Sequence, residues 1–184
     1  LAAIVCMSSC TSQPETVSVS IEGPVRTIPA EIQKPSIKKG CKVPMVIICH
    51  GLTGHKDETH LVMLADSLQA RGIASIRFNF NGHGDDEANF TRHTISKEVT
   101  EALAVYEYVS SLDWVDAGRI AVAGHSQGGV VAGLTAGELG ADKVKCLGLM
   151  APAACIHTEV LSGDFVGKKY TDEEIRELKS AAAS

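Results

Sequence analysis

One serine of the chain lies in a setting that would make it a nucleophile. Gly124-His125-Ser126-Gln127-Gly128 matches the pattern G-x-S-x-G, and it falls between a predicted strand, Arg119 to Ala123, and a predicted helix, Gln127 to Leu139. A serine on such a sharp turn needs strained backbone angles, so the residues two positions away must lack a Cβ atom. The turn holds the hydroxyl above the sheet edge, where the helix N-terminus favours a developing oxyanion. The alternative is a Gly-rich turn that carries an ordinary serine.

A second loop is expected to supply the remaining group that an oxyanion needs. His50-Gly51-Leu52-Thr53-Gly54 ends the apolar strand Val43 to Cys49 and should reach the same sheet edge. Enzymes with this serine turn take one oxyanion N–H group from the residue after the nucleophile, here Gln127, and a second from such a loop, here Leu52. His50 is expected to orient the loop, because a base that precedes the serine would break the usual order Ser, Asp, His.

The spacing of three histidines raises the question of a metal site. His50, His55 and His60 are five residues apart on a loop followed by a helix, so they do not share one helical face. The chain has neither the HExxH nor the CxxC pattern that would support metal binding. We therefore expect no metal ion and no other cofactor.

The alternation of strands and helices predicts the fold class. Further strands are expected at Val17 to Ile21, Val25 to Ile32, Ile73 to Phe80 and Val144 to Met150, with helices at Asp57 to Arg71 and Thr94 to Leu112. Thr171-x-x-Glu174 is typical of a capping box that opens a last helix. Such alternation forms βαβ units, so we expect an α/β fold with a mostly parallel, doubly wound sheet and antiparallel N-terminal strands. Cys49 and Cys146, each on a strand, are expected in the core.

Composition excludes several classes of protein. A chain of 184 residues with 45% hydrophobic and 21% charged residues is typical of one globular domain. Its net charge of −5 and the absence of a basic run argue against a nucleic-acid partner. The globular part contains no run of about 18 apolar residues, the length that a membrane-spanning helix needs.

Three blocks together resemble a known superfamily. HGLTGHK (50–56), FNFNGHGD (78–85) and GHSQGG (124–129) are similar to the α/β-hydrolase superfamily and, within it, to bacterial cinnamoyl (feruloyl) esterases and their serine-aminopeptidase-like relatives. The resemblance covers about Val17 to Ala153. It implies that Ser126 is the nucleophile of an acyl-enzyme mechanism and that Leu52 and Gln127 supply the oxyanion N–H groups. The glycines of block 78–85, which ends a strand, let its loop turn tightly at the rim of the site, so this loop is expected to shape a pocket without doing chemistry.

The resemblance also implies a substrate: a small carboxylic ester, such as a hydroxycinnamate ester of plant cell-wall polysaccharide. Two alternatives remain open. One is a peptidase or a lipase-like hydrolase of the same fold, and the other is a tethered, non-catalytic binding module that keeps the serine turn as scaffold.

The resemblance places the catalytic Asp and His on later strands than those of this chain. Within the chain, Asp142 and His157 have the right order, but Asp142 should lie at the opposite end of the sheet from Ser126. We therefore expect a fragment truncated at both ends and inactive by itself, with the Asp and His encoded beyond Ser184.

The N-terminal residues resemble the end of a secretory signal. Residues 1–10 are expected to be a partial lipoprotein-type signal segment in which Cys10 is lipidated, although Met7 stands where Leu is usual. The alternative is an apolar strand with an incidental cysteine. Residues 11–16 would be a polar linker, 17–153 an incomplete hydrolase core and 154–184 the start of a lid insertion. The expected location is the bacterial cell envelope, as a periplasmic or surface lipoprotein, or outside the cell.

Overall fold

The computed structural model describes residues 11–155, 158, 164–165, 168–169 and 171–174. Cys10 and His157 of the sequence-based predictions lie outside these residues. The strands are β1 (Glu15–Ile21), β2 (Ile28–Lys34), β3 (Val43–Cys49), β4 (Ala74–Phe78), β5 (Val115–His125), β6 (Val144–Met150), β7 (Asp164–Phe165) and β8 (Lys168–Lys169). The helices are α1 (Thr59–Gln69), α2 (Ile95–Ser110) and α3 (Gln127–Leu139), with a 3-10 segment at Gly84–Arg92.

Six strands form one mixed sheet in the order β1-β2-β4-β3-β5-β6. The pairs β1–β2 and β2–β4 are antiparallel, whereas β3–β4, β3–β5 and β5–β6 are parallel. The short strands β7 and β8 form a separate antiparallel pair. The expected α/β class, with antiparallel strands at the N-terminal end of a parallel sheet, is therefore confirmed.

The apolar run of β3 explains its central place. Met45, Ile47 and Cys49 are fully buried in the core under α2 and α3, while Ile48 is fully buried on the other face against Leu61 and Ala65 of α1. Alternate residues of a strand point to opposite faces of the sheet. A strand covered on both faces must be apolar throughout, as β3 is.

Parallel pairing brings four loops to one edge of the sheet. The carboxyl ends of β3, β4, β5 and β6 share this edge, and each is followed by a connection: 50–58, 79–83, Ser126 and 151–155. Ligand sites of open parallel sheets lie outside the carboxyl ends of the strands. The fold therefore places all three sequence blocks, 50–56, 78–85 and 124–129, side by side.

Several elements differ from their predicted bounds. Strand β5 begins at Val115 rather than Arg119, and the segment Gly84–Arg92 forms 3-10 turns that apolar periodicity did not reveal. The expectation that Cys146 lies in the core is wrong, because β6 is the edge strand of the described sheet and leaves Cys146 exposed. The capping box is present: Thr171 N–H donates to Glu174 Oε2 (2.8 Å), and Glu174 N–H donates to Thr171 Oγ1 (3.3 Å).

None of the helices within the described ranges has both the length and the hydropathy of a membrane-spanning segment.

Removing side-chain volume from the middle of β3 should weaken the whole sheet. We expect Ile47→Ala to lower the free energy of unfolding by about 2–5 kcal/mol, because a fully buried side chain leaves a cavity between β3 and the helices. Met63→Ala on α1 is the control, since Met63 is 63% exposed and its loss should change stability by about 0.5 kcal/mol or less. Urea unfolding followed by circular dichroism measures both. Equal losses in the two variants would contradict the buried position of Ile47.

Candidate active site

Ser126 forms the turn between β5 and α3 in a strained backbone conformation. Its φ and ψ angles are 53° and −122°, in a region that side-chain-bearing residues rarely adopt. Backbone strain of this kind costs on the order of 1–3 kcal/mol and persists only where the surrounding structure enforces it. The half-buried Ser126 therefore stands on the sharp turn that the sequence pattern predicts.

Close main-chain packing enforces this turn. A Cβ atom on Gly124 would lie 2.0 Å from Gly128 O, and one on Gly128 would lie 2.2 Å from His50 O and 2.5 Å from Cys49 O. No side chain fits at either position. The two glycines thus let the first turn of α3 approach the ends of β3 and β5 directly.

The segment after β6 completes the support of Ser126. Ser126 N–H donates to Met150 O (3.0 Å), and Ser126 O accepts from both Gly129 N–H (3.0 Å) and Ala153 N–H (3.0 Å). Ala151 has a φ of 44°, which bends the chain back over the turn. The main chain of Ser126 is therefore held by residues on both sides of it.

The loop after β3 lies directly beside Ser126. A Cβ on Gly51 would come within 3.1 Å of Ser126 Cβ, and Gly54 N–H donates to Gly51 O (3.0 Å) to close a turn around Leu52 and Thr53. Thr53 adopts a φ of 59° in that turn. The structure thus brings together the two loops that the sequence singled out.

The main-chain N–H groups of Leu52 and Gln127 are available to a ligand. Neither donates a hydrogen bond to any of the residues that the structure describes. Gln127 is the first residue of the 13-residue helix α3, where N–H groups have no acceptor within the helix and the dipole favours negative charge. These are the two N–H groups expected from the sequence.

His50 fastens the loop after β3 to the strand beside it. The His50 side chain is only 1% exposed. Its Nε2 accepts a hydrogen bond from Phe80 N–H (3.1 Å), so the ring proton is on Nδ1. Nδ1–H donates to Gly51 O (2.8 Å). Burial lowers the pKa of His50 to about 3, with smaller contributions from His83 and His55. A neutral imidazole with both nitrogens engaged orients its loop, as expected from the sequence.

The side chain of Gln127 has an unusual partner. Its Nε2 donates to both carboxylate oxygens of Glu98 on α2, at 2.9 and 2.8 Å, and both side chains are buried. Burial raises the pKa of Glu98 to about 7, the nearby Glu101 raises it further, and the bond from Gln127 opposes the rise. Sequence reasoning missed Glu98, because a glutamate in the first turn of a helix normally faces water.

Polar side chains also tie the loops of the site to one another. Asn79 Oδ1 accepts from Lys56 N–H (2.7 Å), and Asn79 Nδ2 donates to Asp85 Oδ1 (3.2 Å). Buried Arg77 donates to Lys56 O (2.6 Å) and to Asp57 Oδ1 (3.2 Å). Although burial acts to raise the pKa of Asp57, the Lys56 ammonium lowers it, and Arg77 lowers it further. Block 78–85 therefore holds the neighbouring loop in place, in addition to shaping the rim.

A cavity of about 380 Å³ opens at this edge of the sheet. It is lined by Thr53, Gly82, His83, Gly84, Glu87 and Phe90. Thr53 follows Leu52 directly, so the cavity adjoins the loop that carries one of the two available N–H groups. Its size is within the range of cavities that take small organic ligands.

The remaining candidates differ in their distance from Ser126. His125 precedes Ser126 directly and is half-buried, and its ring contacts that of His60 on α1, with centroids 4.5 Å apart. His55 and His60 are exposed, and they belong to no group of possible metal ligands in the part of the chain that the structure describes. Asp142 precedes β6, at the opposite edge of the sheet from Ser126, so its position does not allow it to orient a base that acts on the serine.

Fold and site together define the α/β-hydrolase class: a parallel sheet, a strained serine between strand and helix, and a glycine loop after β3 beside it. Residues 41–177 match the family described as Hydrolase_4, serine aminopeptidase S33, and the chain belongs to that family.

Solved structures agree with this assignment. Est1E from Butyrivibrio proteoclasticus with ferulic acid bound is 31% identical, with a TM-score of 0.75 over 90% of this chain and 71% of that one. Another Est1E structure is 34% identical, with a TM-score of 0.70 over 85% of this chain and 59% of its own. A puromycin-hydrolysing peptidase of Mycobacterium tuberculosis is 21% identical with a TM-score of 0.69, which shows a shared fold.

Curated relatives match a shorter stretch. The quorum-quenching protein AidA of Acinetobacter baumannii is 31% identical over 87 residues, which are 47% of this chain and 28% of AidA. An uncharacterized 31.7 kDa protein of Escherichia coli is 27% identical over 88 residues, or 30% of its length. The match thus spans less than a third of each of these relatives.

Glycine-to-alanine substitutions at two positions of α3, Gly128 and Gly133, should have opposite effects on stability. Gly128→Ala should destabilise the chain by about 3 kcal/mol or more, because the new methyl group meets the rigid carbonyl groups of Cys49 and His50. Gly133→Ala in the same helix has no atom within 4 Å of the new Cβ and should stabilise by about 0.5–1 kcal/mol. Urea unfolding measures both, and a change of the same sign in the two variants would refute the close approach at Gly128.

The lowered pKa of His50 predicts acid sensitivity. Below about pH 6.5 His50 binds a proton in the unfolded chain, whereas in the folded chain it stays neutral down to about pH 3. The free energy of unfolding therefore has its full value above pH 6.5 and decreases as the pH falls below that value. We expect His50→Gln to lower the slope of unfolding free energy against pH by about 1.4 kcal/mol per unit between pH 6 and 4.5. Ile47→Ala, which is destabilised but retains His50, should keep the wild-type slope. An unchanged slope in His50→Gln would contradict the buried neutral imidazole.

Proposed function

We propose that the protein is a serine hydrolase that cleaves small carboxylic esters through an acyl-enzyme, with hydroxycinnamate esters as the substrate class. One observation carries the proposal: Ser126 stands on a strained turn beside two main-chain N–H groups, of Leu52 and Gln127, that are free to donate hydrogen bonds to an oxyanion. The likeness to Est1E, solved with ferulic acid bound, supports the substrate class.

The proposed reaction follows from the positions of these groups. Ser126 Oγ attacks the ester carbonyl carbon, and the carbonyl oxygen becomes an oxyanion that accepts hydrogen bonds from Leu52 and Gln127. The strain at Ser126 and the glycine packing hold the hydroxyl and the helix N-terminus in one place before substrate binds, so no reorganisation is needed during the step. Collapse of the intermediate expels the alcohol, which receives the proton taken from Ser126, and leaves an acyl group on Ser126 that water then hydrolyses to the free acid.

A general base must take the proton from Ser126 Oγ, and a carboxylate must orient that base. His50 is unsuited to this role, since both ring nitrogens are engaged and its pKa is lowered to about 3. The family resemblance places an Asp and then a His after Ser126 in chain order. We propose that these two groups complete the site in the native protein.

The cavity beside Thr53 is the proposed place for part of the substrate. The side chains of Phe90, His83 and Glu87 in its lining offer aromatic and polar contacts to a planar acid. The neighbouring Lys56, Asn79 and Asp85 network keeps the wall of this cavity in position.

The proposal is tested with the native protein expressed from its whole coding sequence. We expect a fluorophosphonate probe to label Ser126, identified by mass spectrometry, and we expect hydrolysis of methyl ferulate. Ser126→Ala should abolish labelling and lower kcat/KM by about 10³-fold or more, because the nucleophile is lost. Ser67→Ala on the exposed face of α1 is the control and should leave both unchanged.

Three outcomes separate the alternatives. Labelling of Ser126 with activity on aminoacyl amides alone would favour a peptidase, in line with the name of the family. Activity on long-chain esters and none on methyl ferulate would favour a lipase-like enzyme. A folded native protein with neither labelling nor hydrolysis would refute the proposal and favour a binding module.

A further inference from the structure

Three side chains behind the rim of the site converge in a way that the proposed acyl transfer at Ser126 does not use, although one of them, His83, also lines the cavity beside Thr53. They are His83 in the connection after β4, His93 between the 3-10 segment and α2, and Glu98 in the first turn of α2. One possible metal-binding atom from each lies within 4.8 Å of those of the other two. His83 and Glu98 are buried, and His93 is half-buried.

Each imidazole already has the arrangement of a metal ligand. His83 Nδ1 bonds to Asn81 O (3.3 Å), and His93 Nδ1 bonds to Phe90 O. A carbonyl oxygen only accepts hydrogen bonds, so Nδ1 carries the proton in both rings and the lone pair is on Nε2. Metal-binding histidines typically donate their second N–H group to a carbonyl in this way.

One of these nitrogen atoms has no partner. His83 is 1% exposed, and its Nε2 forms no hydrogen bond with any of the residues that the structure describes. A buried polar atom without a partner is rare in native proteins and calls for an explanation such as an ion. The carboxylate of Glu98 lies nearby, so an ion could be bound between it and His83 Nε2.

The buried carboxylate of Glu98 has few partners to stabilise a negative charge. It is 2% exposed, and its hydrogen bonds come from a single amide nitrogen, Nε2 of Gln127. Within the described ranges, no lysine or arginine forms an ion pair with it. A buried negative charge of this kind is favourable when a cation lies beside it.

We propose that His83, His93 and Glu98 are the protein ligands of a site for a divalent transition-metal ion, with zinc as the first candidate. Two imidazoles and one carboxylate form a ligand set that binds zinc with a fourth position left for water. Zinc–ligand bonds of about 2.0–2.2 Å require ligand atoms about 3.4 Å apart in a tetrahedron. The three side chains need to approach by at most about 1.4 Å from their upper separation of 4.8 Å.

The proposed site adjoins the cavity of about 380 Å³ beside Thr53. That cavity is lined by His83 and by Phe90, whose carbonyl oxygen accepts a hydrogen bond from His93 Nδ1. Bound metal would join the connection after β4 to α2, so it should stabilise the fold by an amount that grows with the logarithm of the zinc concentration above Kd.

The experiment is a zinc titration of the purified chain at pH 7.5, read by metal analysis after dialysis and by the thermal midpoint. We expect one tightly bound zinc per chain and a midpoint that rises with zinc concentration. His93→Gln should weaken binding by about 100-fold or more, since one of three ligands is lost. His55→Gln, which removes an exposed histidine of the neighbouring loop, should bind as the wild type does. Equal affinity in wild type and His93→Gln would overturn the proposal.

Exposed cysteine thiols could also bind zinc, and a second measurement distinguishes zinc bound by thiols from zinc bound at the proposed site. Cys41 and Cys146 are exposed, and thiolates bind zinc well. X-ray absorption of the zinc-loaded wild type should show two imidazoles and oxygen ligands, whereas sulfur in the first coordination sphere would overturn the proposal. This spectrum needs no variant, so it decides the question even if His93→Gln fails to fold. Neither readout depends on hydrolytic activity, so failure here leaves the proposed esterase function untouched.

Discussion

The close approach of helix α3 to strand β3 is the contact on which the rest of the site depends. Gly128 lies against the carbonyl groups of Cys49 and His50 with no room for a methyl group, and Gly124 lies equally close to Gly128 O. This packing forces Ser126 into its strained conformation and directs the first N–H groups of α3 toward the loop after β3. A helix held farther away would relax the serine and separate the N–H groups of Leu52 and Gln127.

The second constraint is the absence of charge on His50. An imidazolium could not accept the hydrogen bond from Phe80 N–H, and its burial at 1% exposure is compatible only with the neutral ring. One neutral side chain thereby joins the connections after β3 and β4, and Asn79 joins them again through Lys56 N–H. The loop that carries Leu52 is therefore fixed from two sides before any ligand arrives.

Sequence patterns predicted the parts of this structure that follow from local rules. The all-apolar β3, the helix α3 and the serine turn between β5 and α3 depend on periodicity and on glycine spacing, which are visible in one sequence. The pairing of Gln127 with Glu98 and the convergence of His83 with His93 depend on where α2 packs, across residues far apart in the chain. The 3-10 segment Gly84–Arg92 was missed for a related reason, because its contacts include ion pairs of Asp85 and Asp86 with Arg26, which lies far away in the chain.

Glu98 gives the proposed metal site and the proposed oxyanion site a common residue. Its carboxylate binds the side chain of Gln127, whose main-chain N–H is one of the two groups available to an oxyanion. A cation beside Glu98 would compete with the Gln127 amide for the carboxylate lone pairs, so it would change the hydrogen bonding of the residue that opens α3. Coupling between two sites is reciprocal in binding free energy. If an ion at His83, His93 and Glu98 changes the affinity of the serine turn for a ligand, that ligand therefore changes the affinity of the cluster for the ion by the same factor.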